Sequence, residues 1–263
     1  MTPTIDYGMP HAEYLAVPAM SASGIKRFIR SPAHFKAGSA GIDASAAAVG
    51  TATHMAVLEP ARFDAEVVVS PKFDKRSKAG KAEAEAWAAA HAGRLVIDEE
   101  TFDAVRRMAD AVRAHPAASA LLQSGVPEVS MMWADADTGV ACKSRADWLR
   151  PDGLIVDLKT ARDASPGGFA RAIGQYGYAL QAAWYLAGAR VVLREEPAGF
   201  VFVAVEKDPP HAVGVYALDA ASVDAAADRI AGALVRLLDC QRSGHWPAYS
   251  SLVETITAPA WAL

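Results

Sequence analysis

The chain has two cysteines, Cys142 and Cys240, among 263 residues. Two thiols cannot build a disulfide framework, a four-cysteine zinc site or a four-cysteine iron–sulfur cluster, and such scarcity fits a reducing interior. No apolar run approaches the ~20 residues that span a bilayer. Residues 1–18 lack a basic stretch followed by an apolar one, so no signal peptide is expected. There is no Gly-x-Ser-x-Gly elbow and no Walker-type phosphate loop, which argues against a small-molecule hydrolase. A basic excess is missing too. Twenty-six Lys and Arg against 30 Asp and Glu give a net charge of −4, whereas a generic nucleic-acid binder is usually basic.

What is present suffices for a packed core. The chain is 52% hydrophobic, 21% charged and 8% aromatic, which excludes disorder, collagen and coiled coil. The length allows one large domain or one with additions, and no linker divides it. Residues 1–18, with Pro3, Pro10 and Pro18, read as irregular. Ser21 or Ser23 can cap a short helix with Ile25, Phe28 and Ile29 on one face. Ser31-Pro32 ends it, and a second short helix carries His34, Phe35 and Lys36. Further helices are expected over 45–58, 81–91 and 99–114, the last capped by Asp98, with a short strand at 67–69.

From Glu128 the pattern changes. Strands at 128–134, 140–149 and 154–159, joined by turns at 137–139 and 151–153, form an antiparallel meander. A loop at 160–168 leads to a helix over 177–189, then strands at 200–205 and 213–218 and a helix over 222–242. The expected fold is a mixed α/β (α+β) domain, its meander-bearing sheet flanked by helices. Residues 1–44 form an N-terminal extension and 45–250 the core of one domain.

The chemistry gathers on the meander. Residues two apart on a strand share a face, so Asp157 and Lys159 project together. The turn at 151–153 folds Asp147 back toward them. Two carboxylates and an ammonium at one sheet edge suit metal-assisted phosphodiester hydrolysis, with Mg²⁺ as the hard cation. On helices, His54 shares a face with Gly50, where a glycine permits close backbone approach, and Gln181 shares one with Tyr185. Each also has an ordinary reading. Asp-x-Lys is commonly a solvated ion pair, His54 a core histidine, the Gln–Tyr pair helix surface, and Glu128 an exposed strand residue.

Taken in order, the segments resemble the PD-(D/E)xK nuclease superfamily, in its RecB-like branch and more narrowly the RecE (exonuclease VIII) type. The stretches that carry this are Ser21-Ala22-Ser23-Gly24-Ile25 with Ser31-Pro32-Ala33-His34-Phe35, and Gly50-Thr51-Ala52-Thr53-His54 running to Leu58-Glu59-Pro60. They continue through Cys142-Lys143-Ser144-Arg145-Ala146-Asp147, Val156-Asp157-Leu158-Lys159-Thr160, Tyr178 to Tyr185, and Trp246-Pro247-Ala248-Tyr249. The family commonly has proline before its first aspartate, where this chain has Ala146. Two cysteines exclude the cluster-bearing relatives.

The resemblance implies that Asp147 and Asp157 are the acidic pair and Lys159 the lysine. His54 and the backbone carbonyl of Leu158 join the aspartates as metal ligands, and Glu128 contributes through water or a second metal. Gln181 and Tyr185 hold the active-site edge or the DNA strand. It further implies a Mg²⁺-dependent (or Mn²⁺-dependent) exonuclease on ends of linear double-stranded DNA. It would run 5′ to 3′ and leave 3′ overhangs for a RecT-like annealing partner. A ring-shaped homo-oligomer is implied as well, in the cytoplasm of a bacterial or phage-infected cell. An endonuclease of the same superfamily and a non-catalytic DNA-binding module are the alternatives. Candidate phosphate contacts are Lys26, Arg27 and Arg30, the loop residues Lys75, Arg76 and Lys78, and Lys143 and Arg145 beside the site. Phe73 and Trp87 could stack on bases.

Overall fold

The computed structural model describes residues 2–38, 44–74 and 76–259. In chain order the elements begin with β1 (Thr4–Asp6), α1 (His11–Ala16), α2 (Ala22–Arg30), α3 (Pro32–Ala37), α4 (Ala44–Leu58), α5 (Pro60–Glu66) and β2 (Val67–Val69). Next come α6 (Lys78–Ala90), β3 (Leu95–Ile97), α7 (Glu99–Ala114) and α8 (Pro116–Leu122). The meander is β4 (Val126–Ala134), β5 (Ala141–Leu149) and β6 (Leu154–Ala161). The chain then forms α9 (Pro166–Tyr176), α10 (Tyr178–Leu193), β7 (Gly199–Glu206), β8 (Val213–Ala217) and α11 (Ala220–Ser243).

Side-chain caps start the helices where the sequence places them. Ser21, not Ser23, accepts from the Gly24 N–H at 3.2 Å, and Asp98 accepts from Thr101 at 2.7 Å. Four helices go beyond those expected, the short α1, α5 and α8 and the longer α9. Ser165-Pro166 lies at the end of a predicted loop, but Ser165 caps Gly168 at 3.1 Å and Pro166 takes the first helical turn of α9, a position proline favours. Gly177, at φ +63°, then separates α9 from α10.

The main sheet runs β1-β4-β5-β6-β7-β8, with β6–β7 parallel and the other neighbours antiparallel. Its strands alternate between two cores. Val156, Leu158, Val203 and Val205 pack under α4 and α7. Ile155, Phe200, Phe202 and Ala204 pack under α9 and α10. A third cluster joins α2, α10 and α11 around Trp133 and Trp184. β2 and β3 form a separate parallel pair.

Residues 1–18 are more ordered than their prolines suggest. Thr4–Asp6 pairs with Met132, Met131 and Ser130 of β4. The Lys143 ammonium donates to the carbonyls of Tyr14 (2.8 Å), Leu15 (3.1 Å) and Val17 (2.7 Å), closing the C-terminal end of α1. A cation satisfies orphan carbonyls at a helix C-terminus. Lys143 is therefore a buried pin, not a free contact for DNA. Met20 bridges to the same strand, accepting from the Lys143 N–H at 2.7 Å.

Lys143→Met keeps the stem and removes these bonds. It should destabilise the protein by about 2–3 kcal/mol, the scale of losing charge-assisted hydrogen bonds, as read by urea unfolding. Limited proteolysis should then cut first within residues 1–20.

Candidate active site

One row across the sheet carries three carboxylates. The last β5–β6 pairs are Leu149 with Ile155 and Trp148 with Val156, so Asp147 stands across from Asp157, where the ladder stops. The Leu158 N–H, unserved by β5 backbone, donates instead to Asp147 Oδ2 at 2.9 Å. The N–H and C=O of a strand residue face the same edge, so the Leu158 carbonyl opens into the same gap.

On the other side, Pro127 pairs with Trp148 and Val129 with Ala146, which sets Glu128 across from Asp147. Glu128 has φ +55°. That left-handed conformation costs a side-chain-bearing residue ~1–2 kcal/mol, and it persists where the surroundings hold it. α4 supplies His54, whose Nδ1 lies 3.5 Å from Asp147 Oδ2. One donor atom each from His54, Glu128 and Asp147 lie within 4.8 Å of one another. Two carboxylates and an imidazole, each partly accessible, suit a divalent cation that keeps some of its waters.

Asp157 sits one strand deeper and is fully buried. Its Oδ1 accepts from Gln181 Nε2 at 2.6 Å, and its Oδ2 meets the Lys159 ammonium. The expected residues thus converge as two adjoining groups. His54, Glu128 and Asp147 face a cleft of about 1250 Å³ together with Gln181 and Tyr185, while Asp157 is fully buried beside them and the Lys159 side chain stays 16% exposed. Gly50 also lines that cleft, and a side chain there would meet nothing within 4 Å. It leaves the cleft room instead of admitting another backbone.

Burial pushes the Asp147 carboxyl up to about 6, with Asp157 adding to the rise and His54 and Lys159 opposing it. Burial pulls the Lys159 ammonium down, but the Asp157 and Asp147 carboxylates outweigh it and hold its pKa above the ordinary value. The Tyr185 phenol is raised well above its usual range by burial, then by the same two aspartates, so it remains a neutral donor. Lys26 is lowered to about 8, by burial first and then by Lys159, with Asp157 opposing.

The expected DNA contacts divide. Lys26 and Arg27 stand on the cleft wall. Arg30, Arg76 and Lys78 are exposed away from it, and Lys75 lies outside the described residues. Arg145 is engaged internally, donating to Glu128, to Ser130 Oγ at 2.7 Å and to the Met9 carbonyl at 2.8 Å. Trp87 is half-buried, stacked on His91 at 4.1 Å between ring centres and 6.1 Å from Phe73. Sequence reasoning passed over Tyr14, which lines the cleft beside Lys143 and Arg145. Its phenol is raised to about 12 by burial, Arg145 opposing and Glu128 adding. Nothing local in the sequence marks it, because its neighbours come from β4 and β5.

The fold and the clustered donors define a nuclease-type α/β core of the PD-(D/E)xK kind. The chain belongs to the PDDEXK-like domain of unknown function family (DUF3799), which it matches over residues 21–259. No curated protein sequence matches it. Among solved structures it is similar to a protein of Eubacterium rectale described as a candidate exonuclease, with a TM-score of 0.62 over 97% of this chain and 96% of that one. At 15% identity that likeness is one of fold. Among the described residues no helix is long and apolar enough to cross a membrane.

The raised Asp147 pKa has a consequence for stability. A carboxyl whose folded pKa lies above its ordinary 3.8 weakens the fold as it ionises. The penalty is absent below about pH 4, grows towards pH 6 and is full above it. Asp147→Asn should therefore raise the melting temperature by a few degrees at pH 8 and leave it unchanged at pH 4, by calorimetry. Mn²⁺ at pH 8 should stabilise the wild type and not the variant.

Proposed function

We propose that the protein is a divalent-metal-dependent deoxyribonuclease that acts on the ends of linear duplex DNA, as RecE-type exonucleases do. The observation that carries this is the meeting of His54, Glu128 and Asp147 on the cleft, with the Asp157–Lys159–Gln181 group directly behind Asp147. The fold of the Eubacterium rectale protein, described as a candidate exonuclease, supports it further.

In this reading His54, Asp147, Glu128 and the Leu158 carbonyl hold the ion, with Asp157 completing the acidic pair. Mg²⁺, or Mn²⁺ in its place, supplies positive charge that polarises the scissile phosphodiester and eases deprotonation of water. The protein's own groups do the rest. Asp157 fixes the Lys159 ammonium and is itself held by Gln181. Lys159 orients the attacking water or neutralises the charge that builds on the phosphate. Tyr185, kept neutral, donates at the cleft edge. Lys26 and Arg27 receive the DNA backbone. Degradation from the 5′ end, leaving 3′ overhangs for a RecT-like annealing protein, belongs to the same proposal. So do a ring-shaped homo-oligomer and a cytoplasmic setting in a bacterial or phage-infected cell.

End-labelled linear duplex and covalently closed circular DNA, each with Mg²⁺ or with EDTA, test it. Linear DNA should be consumed from 5′ ends with Mg²⁺ alone, and circles spared. Asp157→Ala and Lys159→Ala should each slow cleavage by roughly 10²–10³-fold. Cutting of circles would point to an endonuclease. Salt-sensitive binding without cleavage, or variants as active as wild type, would leave only a DNA-binding module.

A further inference from the structure

We propose that Arg145 is a positioning residue, which acts through Glu128 to complete the metal site and is itself locked by the N-terminal segment. The proposal rests on the nuclease reading above, and it assigns to residues 4–20 a part in that site. These residues precede the stretch matched by the family, which begins at residue 21.

Glu128 needs such a device. Its backbone is in the left-handed region at φ +55°, and it drops out of the ladder across from Asp147. A carboxylate on a strained, unpaired residue beside another carboxylate would turn away to water unless something held it. Arg145 Nε donates to Glu128 Oε2, and the pair is largely shielded, with side chains 10% and 23% exposed. A guanidinium is a rigid fork, so its aim is set by its other bonds. Those go to Ser130 Oγ and to the Met9 carbonyl.

The N-terminal segment fixes both anchors. Asp6 pairs with Ser130 through β1, and Met9 follows on the way to α1. The Lys143 ammonium pins the end of α1, which places the Tyr14 ring 5.7 Å from the guanidinium. A residue that orients a ligand from behind typically changes metal affinity 10–100-fold when lost.

Calorimetric titration of Mn²⁺ without DNA tests this on wild type, Arg145→Ala, Arg145→Lys, Glu128→Ala and the Arg145→Ala/Glu128→Ala double variant. Arg145→Lys keeps the charge and loses the fork, so it serves where the alanine variant does not fold. Both Arg145 variants should bind Mn²⁺ at least about tenfold more weakly. The double variant should bind no more weakly than Glu128→Ala alone, because Arg145 acts through Glu128. In cleavage assays the metal requirement should rise, while KM for DNA at saturating metal stays unchanged. Unaltered Mn²⁺ affinity in the Arg145 variants, or losses that add in the double variant, would overturn the proposal. So would a raised KM with intact metal binding, which would make Arg145 a direct DNA contact. If wild type binds Mn²⁺ and cleaves DNA, such a result sinks this inference alone. If wild type binds no Mn²⁺, the nuclease reading falls first and this with it.

Discussion

The site depends on where the β5–β6 ladder ends. β4 and β5 stay in register from Val126 to Ala134, with one skipped position, and β6 runs in unbroken register with β7 from Leu154 to Ala161. The two halves of the sheet are joined by two residue pairs only. Continued pairing would hold Asp147 and Asp157 about 4.5–5.5 Å apart as facing like charges, which destabilises a sheet. The strands instead part at that row, and the backbone group that separation strands is returned to Asp147. The cleft therefore opens at the one place where ladder bonds have been exchanged for side-chain ligands. α10 spans the split, bonding Asp157 of one half through Gln181 and the Lys143 carbonyl of the other through Trp184 at 2.9 Å.

That arrangement concentrates charge where it is costly. Burying a carboxylate is unfavourable unless it is paired and hydrogen-bonded. Asp157 meets both conditions with Lys159 and Gln181. Asp147 meets them poorly, since His54 and Lys159 do not cancel its burial and its neighbour Asp157. Glu128 adds a third carboxylate on a strained backbone. A bound divalent cation is the largest local charge a site can have and reverses this balance. The electrostatic deficit and the proposed ligand set are thus the same feature, and the fold holds groups that its own stability would not favour.

Much of this was legible in the sequence. Period-two alternation around Asp147 and Asp157, with the intervening turn, placed both carboxylates on one row, because strand register is a local consequence of turn position. Four-residue spacing placed His54 with Gly50 and Gln181 with Tyr185. The illegible parts depend on partners distant in sequence. Residues 1–18 read as irregular because their order comes from β4 and from Lys143, not from their own pattern. α9 was hidden because a serine and a proline mark a loop and a helix start alike. Glu128 by itself looked no different from an exposed strand residue and entered only through the family resemblance, since a left-handed φ leaves no trace in residue type.

The same limit governs charge. A count of lysines and arginines treats every cation as available, and −4 then speaks against a polyanionic substrate. In the folded chain several cations are already engaged. Lys143 closes a helix, Arg145 holds Glu128, and Arg62, Arg113, Arg150 and Arg190 meet carboxylates nearby. What attracts a phosphate backbone is the potential inside the cleft, where low-dielectric walls focus the field of a few groups. There Lys26, which donates to the Tyr176 carbonyl at 3.2 Å, and Arg27 line the wall, and the Arg27 Nε is buried without a hydrogen-bond partner among the described residues. Acidic residues farther away than about one Debye length, ~8 Å at physiological salt, are largely screened from that field. Whole-chain charge therefore carries little weight against a DNA substrate here, and the two cations that line the cleft beside a carboxylate cluster carry more.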